Sequence, residues 1–112
     1  MKVSELATSV ICQQIRENMD ELSEAERMQI DLYLAAAVQY VKSATGIYGT
    51  DEPDSNGRRL DDYEDLTVAV LALISDMYDN RSAQVDSKMS ANRTVQEIIG
   101  RYRFNLVPTV GA

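Results

Sequence analysis

Apolar side chains recur at intervals of three and four along most of this chain, the period of an α-helix face and not the alternation of a strand. Leu6, Ala7, Val10, Ile11 and Ile15 make the first such stripe, in a segment from about Ser4 to Arg16 with Ser4 as its candidate N-cap. The polar connector Asn18-Met19-Asp20-Glu21 leads to the best-marked segment. There Ser23 is followed three residues later by Glu26, the spacing of a capping box. Met28, Ile30, Leu34, Ala37, Val38 and Val41 supply its stripe, and Lys42 followed by Gly46 is a helix stop. A third segment runs from about Asp61 to Asn80. Leu66, Ala69, Val70, Leu73, Ile74 and Met77 form one of its faces, while Val68, Leu71 and Tyr78 carry apolar character onto a second. The fourth is short, about Thr94 to Arg103, with Thr94 and Glu97 at capping-box spacing and Val95, Ile98, Ile99 and Tyr102 as its stripe.

Three stretches break the period. Gly46 to Leu60 is punctuated by Gly46, Gly49, Pro53 and Gly57 and charged by Asp51, Glu52 and Asp54. Loops of this length are uncommon in compact domains and often functional. Arg81 to Ala91 reads as a polar loop. Phe104 to Ala112 is an apolar tail that Pro108 keeps extended. The pattern therefore predicts an all-α fold: a small bundle of about four helices, two long and two short, over residues 1–103, with an extended C-terminal tail over 104–112.

Length and composition narrow the chemistry. A chain of 112 residues is one domain. Its 18 acidic against 11 basic side chains give a net charge of −7, the wrong sign for general binding to phosphate backbones. No histidine is present, which removes a conventional catalytic triad, and the lone Cys12 makes neither an internal disulfide nor a cysteine zinc site. In its apolar run, Val10-Ile11-Cys12, that thiol reads as a buried, inert hydrophobe. Asp61 and Asp65, four residues apart on an expected helix, could hold a divalent cation only with help that no further acid or histidine at bundle spacing supplies. They read as carboxylates favoured by a helix N-terminus. Gly46-Ile47-Tyr48-Gly49 is no phosphate loop. Tyr102, between Arg101 and Arg103, reads as a core or interface aromatic. No enzyme activity, metal or cofactor is expected. The longest apolar stretch, Leu66 to Ile74, is about half of the ~20 residues that span a bilayer, and no targeting segment is evident, so no membrane role is expected and a soluble, reducing compartment is.

Charge is uneven. Residues 1–46 carry 4 basic and 7 acidic side chains, residues 47–80 carry 2 and 9, and residues 81–112 carry 5 and 2. A strongly acidic middle followed by a basic, partly apolar end suits a molecule whose ends meet different surfaces, or one that associates head to tail.

Several short motifs, in order, resemble those of the small head–tail connector (adaptor, or head-completion) proteins of long-tailed double-stranded DNA phages and prophages. They are Tyr40-Val41-Lys42-Ser43-Ala44-Thr45-Gly46 at the end of the second segment, Asp65-Leu66 through the aliphatics to Tyr78-Asp79-Asn80-Arg81 in the third, and Tyr102-Arg103 closing the fourth. The resemblance covers about residues 4–103. It departs from the family pattern at Asp79, where Glu is usual, and at Gly100, inside the last helix.

The resemblance implies a structural subunit of the virion, found in the host cytoplasm during assembly. Such proteins form a ring of about a dozen copies beneath the portal, extend the DNA channel, through which DNA passes without specific binding, and dock head-completion or tail proteins. Under it, Val68, Leu71 and Tyr78 are candidates for the interface between copies. Asp51, Glu52, Asp54, Asp61 and Asp62 are candidates to face the channel, where carboxylates repel phosphate. Arg101, Arg103, Phe104, Leu106, Val107 and Pro108 are candidates for a portal-binding tail. Two other readings fit the pattern less well: a helical regulatory module such as an antitoxin, and another DNA-packaging factor, which should show a basic helix-turn-helix surface.

Overall fold

The computed structural model describes residues 1–15, 17–79 and 93–103. Among them the fold rests on four α-helices: α1 (Thr8–Gln14), α2 (Glu24–Thr45), α3 (Glu64–Asp79) and α4 (Arg93–Arg103). Single 3-10 turns at Val3–Glu5, Met19–Glu21 and Leu60–Asp62 join or precede them. The one β-type pairing among the described residues is an isolated parallel bridge between Gly49 and Arg59. This is the all-α bundle that the periodicity predicts. The expected loop over 81–91 and the tail over 104–112 lie outside the described residues.

Helix α2 forms where its sequence says because its own residues seal both ends. Ser23 Oγ accepts from the Glu26 N–H at 3.1 Å, and Glu26 Oε1 accepts from the Ser23 N–H at 2.9 Å. Two N–H groups that would lack partners are satisfied reciprocally. At the far end Gly46 takes a left-handed φ of 77°, where a Cβ would be penalised, and donates to Lys42 O at 2.9 Å. Buried Thr45 donates to Val41 O at 2.7 Å and accepts from the Ile47 N–H at 3.2 Å. That turn steers Ile47 into the core.

The other ends depart from the sequence expectation, for identifiable reasons. Ser4 is no N-cap. It lies in a 3-10 turn, and its N–H and hydroxyl both donate to the carboxylate of Asp61, 57 residues away. Leu6 is extended, and α1 starts after Ala7 without a side-chain cap. Asp61 and Asp62 precede α3 in a 3-10 turn, and Tyr63 is extended between the two. Asp61 and Asp65 therefore share no helix face. Thr94 lies inside α4, so Thr94 and Glu97 form no capping box. Met28, expected on the buried stripe of α2, is 60 % exposed; the buried positions of that helix are Ile30, Ala37, Val41 and Thr45.

The centre of the core is α3. It buries Leu66, Thr67, Ala69, Val70, Leu73, Ile74 and Met77 and packs against α1, α2, α4 and the N-terminal turn. Leu60 N–H donates to Gly49 O at 2.7 Å, so the connecting loop returns to the end of α2 and α3 starts beside it. Packed along α2, α3 runs back toward that helix's start. The last turn of α4 reaches Asp65 in the first turn of α3, so α4 runs antiparallel to α3, and Gln96 Nε2 on its way donates to Tyr40 Oη at 3.3 Å.

Candidate functional site

The acidic loop is built around one carboxylate. Asp54 Oδ1 accepts from the N–H groups of Asn56 at 2.8 Å and Arg58 at 3.0 Å, and its Oδ2 accepts from Tyr48 N–H at 3.1 Å. These donors, the Arg58 N–H foremost, hold its carboxyl below the ordinary range. Gly57 (φ 76°) completes the turn. Gly49 is packed so closely that a Cβ there would sit 2.1 Å from Glu52 O. Arg58 Nη2 donates to Gly46 O at 3.1 Å, tying the loop to the end of α2. Arg59 donates to Asp51 O at 3.1 Å and pairs with Asp62 at 2.7 Å. That hydrogen-bonded pair pushes Asp62 down and Arg59 up from their ordinary values. Of the five acidic candidates, then, Asp54, Asp61 and Asp62 have carboxylates engaged in local structure, while Asp51 and Glu52 stand exposed on the loop. The signal for the Asp54 hub was present in Asp54-Ser55-Asn56-Gly57, a run typical of turns in which an Asp side chain binds backbone N–H groups just ahead of it.

A second cluster lies where α4 meets α3. Asp65 accepts from Arg101 Nη1 at 3.0 Å and from the Tyr102 hydroxyl. The Tyr102 ring meets Tyr63 edge-on, centroids 5.1 Å apart. Burial, and then the Asp65 carboxylate, raise the Tyr102 phenol well above its ordinary value. Asp65 and Tyr102, which carry the motif resemblance from distant parts of the sequence, are thus bonded to each other, and the motif residue Tyr40 bonds α4 as well. Of the tail candidates, Arg101 is spent on this joint. The side chain of Arg103 and residues Phe104, Leu106, Val107 and Pro108 lie outside the described residues.

Two helix faces present apolar side chains outward. On α3, Val68 is 51 % exposed, and Leu71 and Tyr78 are half-buried, so the three interface candidates border one face with Ala72 and Ser75. The other face lies outside the sequence candidates. On α2, Ala25, Met28, Gln29, Leu32, Ala35, Ala36, Gln39 and Ser43 are all exposed and none carries charge. Leu32 is 67 % exposed, and Met28 and Leu32 line a shallow groove with Ala25, Glu26 and Gln29. These positions recur at three and four in the sequence, but they form a second stripe beside that of Ile30, Ala37 and Val41, and periodicity does not tell which stripe is covered.

Cys12 is buried, and burial raises its thiol above the ordinary value. Among the described residues no three acids, cysteines or histidines gather to hold a metal ion, and no helix is long and apolar enough to cross a membrane.

Comparison with curated proteins and with solved structures finds no match. A family model for the phage gp6-like head-tail connector proteins matches residues 14–103, from the last residue of α1 through the end of α4. That span holds α2, the Asp54 loop, α3 and the Asp65–Tyr102 joint, and the chain belongs to the phage gp6-like head-tail connector family, whose members are structural proteins of the virion.

Proposed function

We propose that this connector acts as one subunit of a ring of about a dozen copies seated beneath the portal, where it extends the DNA channel and docks head-completion or tail proteins. The observation that carries the reading is the family match across residues 14–103. The outward apolar face of α3, with Val68, Leu71 and Tyr78, supplies a contact between copies. Asp51 and Glu52 lead the acidic residues toward the channel, with Asp54, Asp61 and Asp62 behind them. A fixed negative lining repels phosphate, so DNA slides without sticking. Residues 1–103 form the helical domain, and residues 104–112 form an arm toward the portal. Its large apolar side chains Phe104, Leu106 and Val107 would each gain about 1.5–3 kcal/mol on burial, with Pro108 beside them. Arg101 and Arg103 stand at its root. Assembly takes place in the host cytoplasm.

Sedimentation and electron microscopy of the protein, alone at high concentration and mixed with purified portal rings, test this. Rings, or a discrete complex with the portal, are expected. A monomer at every concentration that also ignores the portal overturns the reading. Removing residues 104–112 should leave helical content intact and abolish portal attachment. If the truncated chain still attaches, the portal contact lies elsewhere.

A further inference from the structure

The uncharged outer face of α2 has no partner within the described chain, yet it runs most of the length of the longest helix. In a protein with 26 % charged residues, a solvent face of about five turns without one charge is a surface prepared for cover. We infer that a second copy of this chain covers it, laying the outer face of its α3 antiparallel along α2. The inference rests on the ring reading above and supplies the half of the contact that reading leaves open.

Register and charge argue for this occupant. Two antiparallel helices pair residues whose numbers have a nearly constant sum. Setting Lys42 of α2 opposite Glu64 fixes that sum; the Glu64 side chain is 85 % exposed, and its contact with the N-terminal ammonium of its own chain is a long one, 4.0 Å. Leu71 then falls over Ala35 and Ala36, Leu32 falls over Ser75 and Ala72, and Met28 comes level with Tyr78. Each large side chain meets small ones, the interlocking that close helix packing requires, and Met28 gains an aromatic neighbour, a favourable contact for its sulfur. From Met28 to Gln39 the outer face of α2 brings no charge into the contact; Glu26, which lines the groove, and Asp79 stand at its end. A contact between two α2 faces would also avoid burying charge, but it would leave Val68 uncovered. The α2–α3 contact covers both exposed patches with one operation. Because the two surfaces differ, the contact is head-to-tail, and repeating it generates a closed ring when the rotation closes.

The test uses the full chain with Leu32→Cys and Ser75→Cys together and singly, under mild oxidation. Cys12 is buried and stays out of the reaction. The double variant should give a ladder of disulfide-linked multimers on a non-reducing gel, and each single variant should give none. Lys42→Glu should shift the sedimentation profile from ring to monomer, and adding Glu64→Lys should restore the ring. Dimers from Leu32→Cys alone would mean that α2 pairs with α2, and would overturn the proposal. Rings that form normally while the double variant stays unlinked and Lys42→Glu has no effect also overturn it, yet leave the ring reading standing. Wild-type protein that neither assembles nor binds portal, with no ladder from the double variant, overturns both.

Discussion

Helices α2 and α3 are neighbours in one bundle and are held in opposite ways. The longer, α2, has 22 residues, a complete capping box, a left-handed Gly46 and only four buried side chains. The shorter, α3, has 16 residues and buries seven. One helix is specified mainly by contacts within a few residues of its ends. The other is specified by what surrounds it, including the Met1 carbonyl on Thr67, Arg101 and Tyr102 on Asp65, and, in the turn that leads into it, Ser4 on Asp61. Local signals fix where a helix stops and starts, and tertiary cover fixes how much of it is paid into the core.

Substitutions can break that contrast. The largest effect is expected at the centre of α3: Leu73→Ala opens a cavity at a fully buried site and should cost ~2–5 kcal/mol in chemical denaturation. Leu32→Ala, the same change on the outer face of α2, should leave the stability of the isolated chain nearly untouched. An equal loss at both positions would show that the α2 face is covered within a single copy.

Tyr102→Phe tests the joint that closes α4 onto α3, and removing its hydrogen bond to a carboxylate should cost about 1–2 kcal/mol near neutral pH. Because the folded phenol titrates above its unfolded value, this contribution is complete below pH ~10 and fades as pH rises beyond it. Wild type should therefore lose stability in strong alkali more steeply than Tyr102→Phe, as thermal melts across pH would show. Ser23→Ala removes half of the capping box and should cost ~1 kcal/mol, with fraying confined to the start of α2 by hydrogen exchange. The smallest effect is a gain. Gly100 is exposed within α4 with nothing within 4 Å of where a Cβ would be, so Gly100→Ala should stabilise by up to ~1 kcal/mol in the same denaturation experiment.

The same contrast explains what could be read from the sequence. The bounds of α2 were legible because Ser23, Glu26 and Gly46 act on their immediate neighbours. The core side of α3 was legible because six of its positions, Leu66, Ala69, Val70, Leu73, Ile74 and Met77, repeat at helical spacing; buried Thr67 was not, because a polar side chain gives no such signal. Ser4 was misleading because its partner, Asp61, lies 57 residues on, and Thr94 was misleading because capping-box spacing occurs inside helices too. Met28 falls on the outer side because α2 carries two apolar stripes and only the fold selects between them. Of the candidate site residues, Val68 was found outward on α3 by its position off the buried face. That Asp54, Asp61 and Asp62 hold the loop and the N-terminal turn in place depends on hydrogen bonds that charge counting does not show.

The first turns of α3 also set the order in which the chain can organise itself. The N-terminal segment reaches Thr67 there across 66 residues and Asp61, in the turn just before, across 57, and α4 reaches back to Asp65 across 36 and 37. Most helical bundles fold fast because their contacts are close in sequence. Here α2 has what it needs for early formation, whereas the N-terminal segment and α4 must wait for a single short stretch to be in place. Refolding should accordingly be slower than for a bundle of similar size with only neighbouring contacts, and α4 should be the first helix to exchange its amide protons when the native state opens locally.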